Sequence, residues 1–220
     1  MIDAHDDIDL EEEIKDPDAV PLPVTALLLC GGRSKRMGRP KAFLPFEGTT
    51  MISHILGNIT GLFREILLVS NEPEDFEDLG VDVVKDILPY RGPMGGILSG
   101  LLVSRYKHAF VIACDMPLVE ESLILSLAKL RHDSDVVVVS HDKGVEPLLG
   151  VYSKNCIKPL EESLFSGTLS IKELLGDLAC STHRVPEGSD FPTYFNVNTP
   201  KDYSRLITRT SSLAAGNDRA

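Results

Sequence analysis

No stretch of this 220-residue chain approaches the ~18 consecutive apolar residues of a membrane helix; its longest, residues 24–30, is of strand length. The acidic start lacks the basic and apolar regions of a secretory signal. Cysteine is scarce: Cys30, Cys114, Cys156 and Cys180 form no C-x-x-C pair, so neither a zinc site nor a disulfide framework is indicated. Cys30 and Cys114 end apolar runs, where a small buried thiol is the usual occupant. A basic excess is also missing. The net charge is −11 and the isoelectric point about 5.0, which argues against a general nucleic-acid binder. Histidines 5, 54, 108, 132, 141 and 183 are dispersed without ligand spacing, and no Ser–His–Asp or Cys–His arrangement supports nucleophilic catalysis by the protein. These absences describe a soluble, cytoplasmic protein that engages neither membrane nor nucleic acid.

With 43% hydrophobic and 25% charged residues the composition is ordinary globular. At roughly 150 residues per domain the length suits one large or two small domains, and such a chain buries roughly 70% of its unfolded surface without staples. The charge is local. Residues 1–20 hold nine acids against Lys15 alone, and removing that −8 leaves −3 for the other 200 residues. Residues 1–22 therefore read as an acidic, disordered N-terminal tail.

After the break at Pro21 and Pro23, β-rich, nearly continuous apolar runs occur at 24–30, 65–70, 81–85, 109–114 and 135–140. Strands buried on both faces of a parallel sheet read this way. Helical patterns lie between them at 51–62, 73–79, 94–105 and 119–130. The alternation predicts a single α/β domain: a Rossmann-like, doubly wound, mostly parallel sheet with helices on both faces. Its ligands bind along the carboxyl edge of the strands. Further on, 144–153 reads as a strand crossing the sheet or pairing as a hairpin. Residues 155–164 and 170–175 read as helical, 182–185 and 194–197 as extended, and 200–207 as a last helix with Pro200 in its first turn. The small, polar segment 211–220 is expected to fray.

The strongest chemical feature follows the first strand, in Leu29-Cys30-Gly31-Gly32-Arg33-Ser34-Lys35-Arg36-Met37-Gly38-Arg39-Pro40-Lys41. Glycines let bare backbone N–H groups approach an anion. Five cations fall within nine residues, and no acid occurs from 24 to 46. This suits a polyphosphate, although neither G-x-x-x-x-G-K-[ST] nor G-x-G-x-x-G is present. A solvated basic turn would explain the charges but not the glycines. A second feature is Asp115, ending the apolar run AFVIAC just before Met116-Pro117. An acid there holds Mg²⁺ against phosphate oxygens or simply caps a helix. Asp86 ends another strand before Tyr90-Arg91-Gly92-Pro93-Met94-Gly95-Gly96, a turn that admits a base or ribose, or an ordinary helix entry. In Phe195-Asn196-Val197-Asn198-Thr199-Pro200, Thr199 reads as an N-cap. Asn196 and Asn198 share a strand face, placing one of them to ligate a metal or orient a phosphate, or to form a turn.

The motifs LCGGRSKRMGRPKAFLPF, VVKD, GPMGGILSGL, CDMP, EPLLGVYS and FNVNTPKDY, in that order, resemble the molybdenum cofactor guanylyltransferases, within the wider nucleotidyltransferase group. The resemblance spans about 24–206. It implies a nucleotide-diphospho-sugar-transferase-like domain at 23–208 and a flexible tail at 209–220. It also implies transfer of GMP from GTP to the terminal phosphate of molybdenum-molybdopterin, with Mg²⁺ as cofactor. Molybdoenzyme chaperones or other cofactor-biosynthesis proteins are its implied partners. By the same resemblance, Leu29, Cys30, Gly31 and Gly32 meet the nucleotide through their backbone, Lys41 lies near the phosphates, and Asp86 contacts the nucleotide. Asp115 is the metal ligand beside the nucleotide, Asn198 lies near the reacting groups, and residues 146–149, Glu146 and Pro147 among them, lie on the pterin side.

Two departures stand out. Many relatives carry a nucleotide-contacting asparagine in the second strand, where this chain reads Leu67-Leu68-Val69-Ser70-Asn71, leaving Asn71 as a shifted substitute or no contact. The spelling RMGRPK is also frequent in molybdenum cofactor cytidylyltransferases, but those more often read AAG at 30–32 and DQP at 115–117, which favours guanine. Another nucleotidyltransferase using CTP or a different acceptor, and a non-enzymatic nucleotide binder, are the alternatives. The presence of both Lys41 and Asp115 speaks for an enzyme. The chemistry needs no protein nucleophile: positioning and charge neutralisation suffice, with Lys41 and Arg33 or Arg36 facing the leaving pyrophosphate. A phosphate monoester is already ionised near pH 7, so no general base is required.

Overall fold

The computed structural model describes residues 20–31, 40–167, 170–186 and 192–217, the last eight by their backbone alone. The apolar run after Pro21 forms β1 (Leu22–Leu29), buried at every position. A small hairpin, β2 (Pro45–Phe46) with β3 (Thr49–Thr50), leads into α1 (Met51–Ile59), where the Thr50 hydroxyl accepts the Ser53 N–H at 3.2 Å as an N-cap. Next come β4 (Phe63–Ser70), a 3₁₀ segment at Pro73–Leu79, β5 (Asp82–Lys85) and α2 (Pro93–Val103). The chain continues through β6 (His108–Ala113), α3 (Glu121–Lys129), β7 (Val136–His141) and β8 (Gly144–Ser153). Last are α4 (Ile157–Ser166), α5 (Ile171–Gly176), β9 (Cys180–Arg184) and α6 (Pro200–Asn217).

The seven-stranded sheet has the order β5-β4-β1-β6-β8-β7-β9. Only β8 runs against its neighbours, so the sheet is mostly parallel, as the alternating pattern requires. The two readings of 144–153 are both realised: β8 forms a hairpin with β7 and inserts between β7 and β6. A glycine permits that insertion, since a Cβ on Gly150 would stand 2.3 Å from the Val137 carbonyl oxygen.

Alternate residues of β1 face opposite layers. Val24, Ala26 and Leu28 pack against Ile52 and Ile55 of α1 and Ile124 and Leu127 of α3. Leu27 and Leu29 face Met94, Ile97 and Leu101 of α2 with Leu160 of α4. Helices therefore cover both faces. A third cluster joins Leu44, Phe46 and Met51 to Val197 and Leu206, fixing the C-terminal segment beside the β2–β3 hairpin and the start of α1.

Two expectations differ. Residues 194–197 form no strand; the segment turns, with Phe195 N–H on the Pro192 carbonyl and Val197 N–H on the Asp115 carbonyl, each near 2.9 Å. Its asparagines and Thr-Pro end favour turns over a ladder. The last helix continues to Asn217 rather than ending near 207. Its hydroxyls return to the helix backbone (Thr208 Oγ1 to Ser204 C=O, 2.9 Å), and Ala214 and Ala215 are strong helix formers. The Thr199 cap holds: Asp202 Oδ2 accepts the Thr199 N–H at 2.8 Å, while Thr199 Oγ1 accepts the Asp202 N–H at 3.2 Å. Among the described residues, no helix is long and apolar enough to cross a membrane.

Candidate active site

A cleft of about 590 Å³ opens over the carboxyl ends of the parallel strands, the edge at which open α/β sheets bind ligands. Its floor begins with Leu29 and Gly31. Hydrogen bonds continue beyond β1, from Cys30 N–H to the Val69 carbonyl at 2.8 Å and from Cys114 N–H to the Leu29 carbonyl at 3.1 Å. The strand ends are therefore held rigidly up to the first glycine. Gly32, Arg33 and Arg36, expected around the phosphates, lie outside the described residues.

Asp115, the first acid beyond β6, is the electrostatic centre. Lys41 Nζ stands 3.1 Å from Asp115 Oδ2 and 2.9 Å from Asn198 Oδ1. These three were singled out on separate segments, and folding brings them together. Burial nonetheless pushes the Asp115 carboxyl above the usual carboxylate range, outweighing the opposing pull of Lys41. Asn196, left open beside Asn198 in the sequence, also reaches this group. With its carboxamide nitrogen facing Asp115, it donates to the two carboxylate oxygens at 2.6 and 3.0 Å. Turned the other way, it would set a third oxygen against that carboxylate. The N-x-N spacing supplied this signal, because residues two apart can turn to one side.

The other end of the cleft is built by the segments after β4 and β5. Asp86 is buried, with Oδ1 accepting the Ser99 hydroxyl and the Leu88 N–H, both at 3.0 Å. A Cβ on Gly95 would lie 3.3 Å from both Asp86 oxygens and 3.0 Å from the Leu88 carbonyl, so a larger residue there would have to displace the carboxylate or the Leu88 carbonyl by a few tenths of an ångström. Val69 and Asn71 both line the cleft, and of the two only the asparagine offers a polar group. Val69 packs in the core, whereas Asn71 Oδ1 is buried without a hydrogen-bond partner among the described residues. Such an acceptor is open to a donor from outside the described residues.

Glu146 and Pro147 do not line the cleft; the following residue, Leu148, does. The Glu146 carboxylate is held by His141 Nε2 at 3.0 Å, and the Pro147 carbonyl accepts the buried Tyr152 hydroxyl at 2.6 Å. Ser99, which fixes Asp86, carried no sequence signal of its own, whereas Tyr90, at the cleft mouth, begins the turn read in the sequence as admitting a base or ribose. Their roles depend on contacts between separate elements.

The cysteines remain thiols. Cys30 and Cys156 are buried, and burial raises both, Cys156 to about 12, which makes them poor nucleophiles. Among the described residues, no group of three or more histidines, cysteines and acids is placed to hold a metal ion. The site offers two carboxylates and three carboxamides lining a cleft, with one ammonium paired to the second carboxylate. That set can bind and neutralise an anion, and the Cys114 thiol also lines the cleft.

A family model for the MobA-like NTP transferase domain matches residues 26–182. A protein from Pelotomaculum thermopropionicum named "Probable molybdenum cofactor guanylyltransferase" is 34% identical over 199 residues, covering 89% of this chain and 97% of that protein. The molybdenum cofactor guanylyltransferase of Desulfosudis oleivorans is 30% identical over 188 residues, covering 83% and 93%. Among solved structures, molybdopterin-guanine dinucleotide biosynthesis protein A from Archaeoglobus fulgidus superposes with a TM-score of 0.74 at 24% identity, over 86% of this chain and all of that one. The 4-diphosphocytidyl-2C-methyl-D-erythritol synthase of Anaerococcus prevotii shares the fold, with a TM-score of 0.66 at 13% identity, over 86% and 96%.

Proposed function

The chain belongs to the MobA-like NTP transferase family, and from that premise we propose that it transfers GMP from GTP to the terminal phosphate of molybdenum-molybdopterin. An oxygen of that phosphate forms a bond to the α-phosphorus of GTP. The bond from the α-phosphorus to the bridging oxygen breaks, and pyrophosphate leaves with the electron pair. The products are the guanine dinucleotide cofactor and pyrophosphate, and no proton has to be removed from the nucleophile.

The observation that carries this reading is the meeting of Lys41, Asp115, Asn196 and Asn198 at the strand edge, beneath a cleft that runs on to Asn71 and Asp86. One end suits charged phosphates, the other a nucleoside. The donor set also fits Mg²⁺, which favours hard oxygens and is commonly bound through one or two carboxylates plus substrate phosphates. Asp115, with the Asn196 and Asn198 carboxamides, would hold the ion. When bound, it supplies charge neutralisation across the phosphate oxygens.

The chain's own groups do the rest. Lys41 exchanges its carboxylate partner for phosphate oxygens and stabilises charge developing toward pyrophosphate. Arg33 and Arg36 are assigned the same anion on the strength of the sequence. Leu29 and the glycine at 31 leave the floor open to close approach, and Asn71 Oδ1 accepts from the nucleoside. Leu148 and the asparagine-bearing turn border the acceptor side.

The test is calorimetric titration with GTP, CTP and ATP, with and without Mg²⁺. Selective GTP binding strengthened by Mg²⁺ is expected. A preference for CTP would reassign the same chemistry to cytidylyl transfer, and magnesium-independent binding would remove the metal from the scheme.

A further inference from the structure

The segment between β5 and α2 holds a feature that phosphate chemistry does not explain. Tyr90 has a φ of 63°, in the left-handed region that glycine enters readily and a bulky side chain enters at a cost. The chain places glycine at most such positions, including Gly92 two residues later. Core packing does not compensate this strain, because Tyr90 is 59% exposed. Strained residues that persist on a rigid frame cluster at binding sites.

The surroundings indicate what is bound. Tyr90 is the only aromatic side chain among the described residues lining the cleft. Its hydroxyl lies 3.4 Å from Glu72 Oε1, so the side chain spans from the segment after β5 to the segment after β4. Those two segments carry Asp86 and Asn71, which present the buried carboxylate and the orphaned amide oxygen. A ring across the mouth, with hydrogen-bond acceptors beside it, matches a flat heterocycle that has N–H donors along its edge.

We propose that Tyr90 is the aromatic platform on which the nucleobase stacks, setting affinity for the base and not for the phosphates. This rests on the nucleotide-transfer reading above. Stacking is tolerant of base identity, since every base has a π-face. Tyr90 therefore supplies affinity, and the oxygens beneath it discriminate among bases.

Wild-type protein and the variants Tyr90→Phe, Tyr90→Ala and Tyr90→Gly are titrated with GTP and, separately, with inorganic tripolyphosphate, which has no base. Tyr90→Ala and Tyr90→Gly should raise the Kd for GTP roughly 10–100-fold, the range for losing one stacked base. Tripolyphosphate affinity should not change, and Tyr90→Phe should stay within about threefold of wild type, because the ring is retained. Tyr90→Gly should not lower the Tm, since glycine relieves the left-handed strain, and this separates loss of binding from loss of fold.

Unchanged GTP affinity in Tyr90→Ala would overturn the proposal. So would equal weakening for both ligands, or a phenylalanine variant as impaired as alanine. A variant with normal GTP affinity but a raised KM for the pterin acceptor would overturn it too, moving the platform to the other substrate. Failure of the transfer reading has a different signature: wild-type protein would then bind none of the nucleoside triphosphates.

Discussion

Replacing Lys41 with methionine removes the ammonium while keeping most of the side-chain volume. In the nucleotide-free protein that ammonium lies 3.1 Å from Asp115 Oδ2, with side-chain exposures of 18% and 17%. Two unit charges at this distance attract by about 5 kcal/mol at an effective dielectric constant near 20. Part of that is offset by the desolvation that already pushes the Asp115 carboxyl up. Removing one partner of a largely buried pair then costs about 2–3 kcal/mol, below the 3–5 of a fully buried one. In a chain of this size that lowers the Tm by roughly 5–10 °C. The companion Asp115→Asn should cost less, because the lysine left behind can reach water. The double variant carries no unpaired charge and should be more stable than Lys41→Met alone, a coupling of about 1–3 kcal/mol. Thermal unfolding of the four proteins without nucleotide reads this directly. Strictly additive Tm changes, or a Lys41→Met protein within about 1 °C of wild type, would refute the view that Lys41 neutralises Asp115 before substrate arrives.

Two further outcomes follow from other parts of the fold. Burial, with Arg131 and Lys107 nearby, lowers His108 to about 4, so the folded state prefers the neutral ring. The stability this contributes is present above the unfolded value near 6.5 and is lost as pH falls toward 4, in total about 3 kcal/mol. Thermal unfolding between pH 7.5 and 4.5 should accordingly be less pH-dependent in His108→Gln, and an unchanged slope would exclude this residue as the source. Gly95→Ala would push a methyl against the Leu88 carbonyl at 3.0 Å and the Asp86 carboxylate at 3.3 Å. By displacing Asp86 it should weaken GTP roughly tenfold in calorimetry, the scale of one hydrogen bond to a charged group; wild-type affinity would mean that Asp86 does not touch the nucleotide.

The layered fold was legible because each element states its own environment. Leu22–Leu29 and His108–Ala113 are apolar without interruption because both faces are covered, and the Thr199-Pro200 cap is chemistry local to four residues. The central group was legible for a related reason. Lys41, Asp115 and Asn198 each sit where a strand or turn ends, and that edge is where the topology gathers ligands. What stayed hidden depends on three-dimensional placement that residue type does not state. Nothing local distinguishes Ser99 as the support of Asp86, Tyr90 as a left-handed residue, or Glu146 as the partner of His141. The ambiguity between Asn71 and Val69 was one of register at a strand end, and both residues line the cleft. The strand expected at 194–197 failed because a short extended pattern says nothing about whether a neighbour is available to pair with it.

The most direct test of the central claim is isotope transfer. With molybdenum-molybdopterin and Mg²⁺ present, GTP labelled at the α-phosphorus should pass its label into a guanine dinucleotide, while label at the γ-phosphorus should appear in pyrophosphate. Asp115→Ala and Lys41→Ala should each slow both by ~100-fold or more, the scale of losing one electrostatic stabiliser. Labelled dinucleotide formed from CTP and not from GTP, or transfer at wild-type rates in either folded variant, would contradict the account.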